Sequence, residues 1–334
     1  MSDMDTWKLP ALAELQSAAE LVARYVPPTL QYRWPLLCRE AGCELWTKHE
    51  NHTPTGSFKM RGGLVFIDWL RRERPDVSGV VTATRGNHGQ SIAFAAREFA
   101  VKAVIVVPRG NSREKNEAMR ALGAELIEHG ETFHDADHLS EELAASRNLF
   151  RISAFEPILV QGVGTYGLEL FKAVSNLDAV YVPIGWGSGA CGVAAARNGL
   201  SLNTKIVGVV SREAPTSSRS FAARQIVEIP PRTRIADGVA VARPNPGAFD
   251  LWRNEVERIV EVSDDEVEEA MRLYFRATHN VAEGAGAASL AAVLQEKDRV
   301  AGKRIAAILT GGNVDTDVYA RVLNAGTHAE STHR

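Results

Sequence analysis

Along this chain, short apolar runs alternate with stretches in which apolar residues recur at helical spacing. The runs GVVTAT from Gly79, AVIVVP from Ala103, AVYVPI from Ala179, KIVGVV from Lys205 and RIAAILT from Arg304 have the length and β-branched content of buried strands. Leu12 to Tyr25, Gly89 to Phe99, Ser112 to Leu122, Asp264 to Thr278 and Ala285 to Glu296 carry the helical period. Strands alternating with helices predict an α/β fold on parallel sheets. The strands at Gly79, Ala103 and Glu125 sit between closely spaced helices. The expected division is therefore a small α/β domain over 64–157, inserted into a larger one made of 1–63 and 158–334. From Ser211 to Phe249 the chain turns rich in proline, serine, arginine and alanine. That segment reads as a long ordered loop beside a site.

Composition narrows the functions available. With 334 residues, 45% of them hydrophobic, the chain can bury a core of two lobes. A formal net charge of -3, with 24% charged residues, provides no field for nucleic acid or anionic lipid, so a small-molecule partner is expected. Cys38, Cys43 and Cys191 form no CxxC and are odd in number, which points to a reducing cytoplasm rather than a disulfide framework or zinc knuckle. The opening MSDMDTWKLPALAELQ lacks the basic start and apolar run of a signal peptide, and nowhere do 18 apolar residues run together, so neither secretion nor a membrane span is expected.

Four segments carry candidate chemistry. In HENHTPTGSFKMRGG, Lys59 follows Ser57 and Phe58 and precedes a helical run, a place where an amine can be held partly desolvated and neutral enough to attack a carbonyl. In TATRGNHGQS a strand ends at Thr84, Arg85 and Gly86, and a helix opens near Asn87 and His88. Such a turn aims backbone N–H groups at one spot, which suits a carboxylate. In PIGWGSGACG, Gly185, Gly187 and Gly189, interleaved with Trp186 and Ser188, lie between a strand and a helix start; this is a phosphate cradle without the GK[ST] of a Walker loop. LTGGN ends a strand on Thr310 and two glycines.

Together, and in this order, the four segments resemble the fold type II pyridoxal-phosphate enzymes, and within them the serine/threonine dehydratase and serine racemase branch. The likeness runs from about Pro28 to Asn313, and the SFKxRG and GNHGQ pair is its most specific part. It implies a two-domain, tryptophan synthase β-like fold, with pyridoxal 5'-phosphate bound as an imine on Lys59. By the same resemblance Phe58 adjoins the cofactor, Asn87 faces its phenolic oxygen, residues 185–189 hold the phosphate and Thr310 replaces the serine beside the pyridine nitrogen. Glu283, in EGAGAA, falls at a helix start beside the cofactor. Ser57, Thr84, Arg85, Gly86 and His88 would then bind the amino-acid substrate. The implied reaction removes water and ammonia from a β-hydroxy-α-amino acid and leaves a 2-keto acid. A homodimer is also implied. A hydroxyl beside the ring nitrogen makes the ring a weaker electron sink than a carboxylate would, which favours elimination over transamination.

The departures from the family pattern matter as well. Arg85 stands where racemases of this kind carry a serine; a guanidinium stays protonated and relays protons poorly, so racemisation is the secondary expectation. Arg85 can anchor a carboxylate or pair with an acid between the lobes. Threonine and serine are the default substrates, with Arg85 leaving room for hydroxyaspartate and Trp186 for phenylserine. Val210 and Ser211 stand where cation-binding relatives have an acid, so no metal is assigned. Glu283 can order a water or simply cap its helix, and Trp186 can wall the cofactor or merely pack. Twenty-one residues follow Asn313, too few for the regulatory domain of biosynthetic threonine dehydratases, and a degradative role is expected. GVGTYG, Gly162 to Gly167, matches a dinucleotide fingerprint but lacks the downstream acid, which leaves a nicotinamide oxidoreductase as a remote alternative. His134 and His138 in FHDADH have metal-pair spacing but no third ligand.

Overall fold

The computed structural model describes residues 7–330. Its first part contains α1 (Leu12–Val22), β1 (Gln31–Tyr32), α2 (Pro35–Ala41), β2 (Glu44–His49), α3 (Lys59–Glu73), β3 (Val80–Ala83), α4 (Asn87–Glu98), β4 (Ala103–Val107), α5 (Arg113–Ala121), β5 (Glu125–Glu128), α6 (Phe133–Ser146) and β6 (Phe150–Arg151). The remainder adds α7 (Pro157–Ala173), β7 (Ala179–Pro183), α8 (Ser188–Gly199), β8 (Lys205–Ser211), α9 (Thr216–Ala223), α10 (Pro246–Trp252), β9 (Arg258–Val262), α11 (Asp264–Thr278), α12 (Gly284–Gln295), α13 (Lys297–Val300), β10 (Arg304–Leu309) and α14 (Thr316–Glu330). One sheet has the order β1-β2-β10-β7-β8-β9, parallel except for β1 on β2. The other, β5-β4-β3-β6, is wholly parallel.

Helices cover both faces of such sheets, so their strands are apolar on both sides: every residue of β4 and of β7 is buried. The five apolar runs of the sequence are β3, β4, β7, β8 and β10. A sixth central strand, β2, hides its character because Thr47, Lys48 and His49 are polar yet buried. Helix α3 runs unbroken through positions 63 and 64, and its buried Leu64, Phe66, Ile67 and Leu70 join Val80, Ile105 and Val107 in one core. The segment from Ser211 to Phe249 is more ordered than its composition suggests, for it contains α9, a 3-10 turn at Asp237–Val239 and the start of α10.

Two decoys resolve structurally. GVGTYG lies inside α7 rather than in a strand-to-helix turn. A Cβ at Gly162 would fall 2.1 Å from the Arg61 carbonyl oxygen, and one at Gly167 2.9 Å from Ala196 Cβ, so these glycines let α7 press against α3 and α8. His134 and His138 lie exposed on α6, where His138 Nδ1 is 3.4 Å from Glu142 Oε1.

Candidate active site

The loops that follow β10, β7 and β3 carry LTGGN, GWGSG and TRGN respectively, at the carboxyl ends of parallel strands where α/β folds place their ligands. The SFK loop is tied to the first of these. Phe58 N–H donates to the Thr310 carbonyl at 3.1 Å, Gly312 N–H to the Gly56 carbonyl at 3.0 Å, and Ser57 bridges to Gly311. Thr53 Oγ1 closes the loop by accepting from Ser57 N–H at 2.9 Å. Lys59, the first residue of α3, points its amine at the second loop, with Nζ donating to Ser188 Oγ at 3.0 Å. Burial disfavours its charged form and lowers its pKa from 10.5 to about 8.

Beneath Lys59 the first turn of α3 is anchored by a buried ionic cluster. Arg61 donates Nε to Glu50 Oε2 at 2.7 Å and Nη1 to Glu169 Oε1 at 2.6 Å, while Lys48 Nζ donates to Glu169 Oε2 at 2.6 Å. Two cations and two carboxylates cancel here, and Arg61, Lys48 and Glu50 have fully buried side chains. Their desolvation is offset only because every partner is present.

At the end of β3, Thr84 Oγ1 accepts from Gly86 N–H at 3.1 Å, and α4 opens on Asn87. Asn87 is held at both ends of its amide. Its Nδ2 donates to Glu283 Oε1 at 2.7 Å, and its Oδ1 accepts from Asn313 Nδ2 at 2.7 Å. Glu283 stands at the N-cap of α12 but makes no side-chain cap bond, so its carboxylate orients Asn87 rather than capping the helix. Burial raises the Glu283 pKa, with Lys115 and the Asn87 bond opposing. His88 is neutral, because burial and then the Lys59 charge push its pKa down to about 3. Arg85 is exposed and enters no ion pair among the described residues, so pairing with an acid between the lobes is not made.

The glycine loop turns into α8 through Gly187, whose φ of 99° an L side chain rarely adopts; a Cβ there would also lie 2.5 Å from Trp252 Cδ1. Ser188 and Gly189 are buried, and Tyr166 Oη donates to the Gly189 carbonyl at 3.1 Å. Among the described residues, no protein acceptor meets the backbone N–H groups of Gly187, Ser188, Gly189 and Ala190. Gly185 and Trp186 are partly buried, and Trp186 packs on the core around α7 and α8. Thr310 is buried beside the SFK loop.

Structure therefore brings Ser57, Phe58, Lys59, Ser188 and Thr310 together, and separately links Asn87 with Glu283. Sequence reasoning overlooked Asn313, although it closes the LTGGN motif, and Arg61, which the SFKxRG motif contains. It also missed Trp252 and Lys115, which no local pattern marks.

These residues fit pyridoxal 5'-phosphate. A buried amine of lowered pKa supplies the group that reacts with an aldehyde, and an unpartnered helix N-terminus at α8 suits a phosphate. Ser57 Oγ and His88 Nε2 are buried without any hydrogen-bond partner among the described residues, which is costly unless a bound group satisfies them. The family model described as pyridoxal-phosphate dependent enzyme matches residues 22–311, and the chain belongs to that family. It is 33% identical to the L-threonine ammonia-lyase of Thermotoga maritima over 94% of this chain and 78% of that protein. It is likewise 33% identical to the L-threo-3-hydroxyaspartate ammonia-lyase of Pseudomonas sp over 95% of this chain and 99% of that protein. The solved structure of the processed form of threonine deaminase isoform 2 from Solanum lycopersicum is 28% identical, with a TM-score of 0.86 over 96% of this chain and 95% of that one. The chain is a pyridoxal-phosphate-dependent ammonia-lyase of the serine/threonine dehydratase family.

Proposed function

We propose that this enzyme converts a β-hydroxy-α-amino acid of the threonine or serine type to a 2-keto acid and ammonia, with Lys59 as the catalytic base. The contact of a buried Lys59 amine with Ser188, at the mouth of the open α8 N-terminus, carries the reading. When bound, pyridoxal phosphate supplies a ring that withdraws electrons from the substrate's Cα. Lys59 Nζ, whose pKa burial lowers to about 8, takes the Cα proton in its neutral form. Gly185, Trp186, Gly187, Ser188 and Gly189 would hold the phosphate through backbone N–H groups, and Phe58 and Thr310 would lie beside the cofactor. Asn87, fixed by Glu283 and Asn313, would hydrogen-bond the cofactor's phenolic oxygen. Ser57, Thr84, Gly86 and His88 receive the α-carboxylate; the first N–H groups of α4 at Asn87, His88 and Gly89 have no protein acceptor among the described residues. The Arg85 guanidinium stays protonated and relays protons poorly, which disfavours racemisation.

The residue spans 64–157 and 1–63 with 158–334 act as two lobes; all four strands of the smaller sheet lying within Val80–Arg151 supports this. The enzyme works as a cytoplasmic homodimer. Free thiols at Cys38, Cys43 and Cys191 agree with a reducing compartment, and exposed Leu30, Tyr32 and Leu36 near the β1 edge offer apolar surface to a second copy. Among the described residues no helix is long and apolar enough to cross a membrane. A panel of β-hydroxy amino acids scored for keto acid and ammonia release tests the activity. Release by wild type and none by Lys59→Ala is expected; turnover surviving in Lys59→Ala would overturn the assignment of the base.

A further inference from the structure

Two helix N-termini meet beside the site, and each follows a strand of a different sheet. Helix α5 follows β4 of the four-stranded sheet, and α14 follows β10 of the six-stranded one. Ser112 is the N-cap of α5: its Oγ accepts from Lys115 N–H at 3.1 Å and donates to Asp315 Oδ1 at 2.5 Å. Asp315 immediately precedes α14, and its carbonyl accepts from Tyr319 N–H at 2.9 Å. Thr316, the first residue of α14, donates its backbone N–H to Glu114 Oε1 at 2.9 Å. The cap hydroxyl of α5 is therefore held by an acid from α14, and the first N–H of α14 by an acid from α5. Facing helix N-termini carry like partial charges and repel, and the two carboxylates between these convert that repulsion into a join.

The join lies close in sequence to a residue that restrains Asn87. Asn313, two positions before Asp315, donates Nδ2 to the Thr55 carbonyl at 2.8 Å and to Asn87 Oδ1 at 2.7 Å. The same turn of α5 also reaches the residue before Asn87. Lys115 lays its stem along Gly86, so that a Cβ at Gly86 would fall 2.8 Å from Lys115 Cδ. We propose that the first turn of α5 positions Asn87 for the reaction: Ser112 and Glu114 hold Asp315 and Thr316, which set Asn313 against the Asn87 amide. The inference rests on the ammonia-lyase reading above and adds Ser112, Glu114 and Asp315 to it as positioning residues, which act through Asn313 and not on the substrate. Glu283 fixes one end of the Asn87 amide and Asn313 the other, so releasing Asn313 frees that end to shift. A displacement on the order of 1 Å at a group facing the chemistry lowers the rate by a factor of roughly 10–100.

The test measures kcat and KM of the holoenzyme separately, on whichever β-hydroxy amino acid wild type turns over best. Thr316→Pro removes the N–H given to Glu114 at a helix position that tolerates proline, and Asp315→Ala removes the acceptor of Ser112. In each, kcat is expected to fall roughly tenfold while KM and the urea midpoint stay near wild type. Asp315→Asn keeps an acceptor oxygen and is expected to recover most of the loss. Asp317→Asn takes a charge from the same turn of α14, where its carboxylate meets only Val318 N–H, and is expected to match wild type. Because the effect passes through Asn313, Asp315→Ala is expected to cost nothing further in an Asn313→Ala background. Losses that multiply in that double variant, or an unchanged kcat in both single variants, would overturn the inference while leaving the ammonia-lyase reading intact. Release of keto acid from no β-hydroxy amino acid would instead remove that reading. A second measurement does not need turnover: amide hydrogen exchange of the Thr316→Pro holoenzyme, which also carries the test should Asp315→Ala fail to fold. Faster exchange in the peptides that contain Asn87 and Asn313, with β4 and β10 unchanged, supports the proposal; acceleration spread evenly over the chain, or none, refutes it.

Discussion

The Lys59 amine leaves a signature in the stability of the cofactor-free protein. Its pKa falls from 10.5 to about 8 on folding because burial penalises the charge. A drop of roughly 2.5 in pKa, at about 1.36 kcal/mol for each unit, is about 3.4 kcal/mol, and residual solvent contact reduces it to about 2–3 kcal/mol. Below pH 8 both folded and unfolded chains hold the proton, so the full penalty burdens the folded state. Between pH 8 and 10.5 the unfolded chain keeps a proton that the folded chain has released, and wild type gains stability as pH rises through that window. Lys59→Met keeps the unbranched stem and discards the charge. Urea denaturation of the cofactor-free proteins at pH 7 should show the variant more stable by about 2–3 kcal/mol, an advantage that shrinks toward pH 10. A constant difference across that range, or a variant less stable than wild type at pH 7, would refute the burial of this amine.

Other expectations follow from the same geometry. Arg61→Met strips the guanidinium from Glu50 and Glu169 and should cost about 3–5 kcal/mol in urea denaturation, the usual penalty for orphaning a buried charge; a loss under about 1 kcal/mol would contradict the cluster's importance. Gly187→Ala forces a side chain to a φ of 99° and against Trp252, so the variant should lose about 1–3 kcal/mol and release cofactor faster on dilution. Asn313→Ala frees Asn87 Oδ1, and kcat/KM should fall roughly tenfold with little change in denaturation midpoint. Unchanged kinetics would show that Asn87 needs no such restraint.

Much of this was legible in residues 79–84, 103–107, 179–183, 205–211 and 304–309, since parallel strands buried on both faces are apolar throughout and stand out from helical patterns. The strand Glu44–His49 was not, because the buried Lys48 finds its carboxylate partner in Glu169, 121 residues further on. Helix Pro157–Ala173 was obscured by three glycines that serve packing and look locally like a nucleotide loop. Within the site, the order of four motifs singled out Lys59, Asn87 and the 185–189 loop as candidates. Nothing in NSREKNEAM records that Lys115 lies along Gly86, because that approach joins two elements, α5 and the turn that opens α4. Glu283 stayed open between ordering a water and capping its helix, because an acid before a helix usually caps it and the contact that aims it at Asn87 is tertiary.

Reduction of the loaded enzyme with borohydride, followed by proteolysis and mass spectrometry, addresses Lys59 most directly. The cofactor's mass is expected on the peptide that contains Lys59 and on no other. Cofactor fixed to Lys48, to Lys115 or to no lysine at all would contradict the assignment of Lys59.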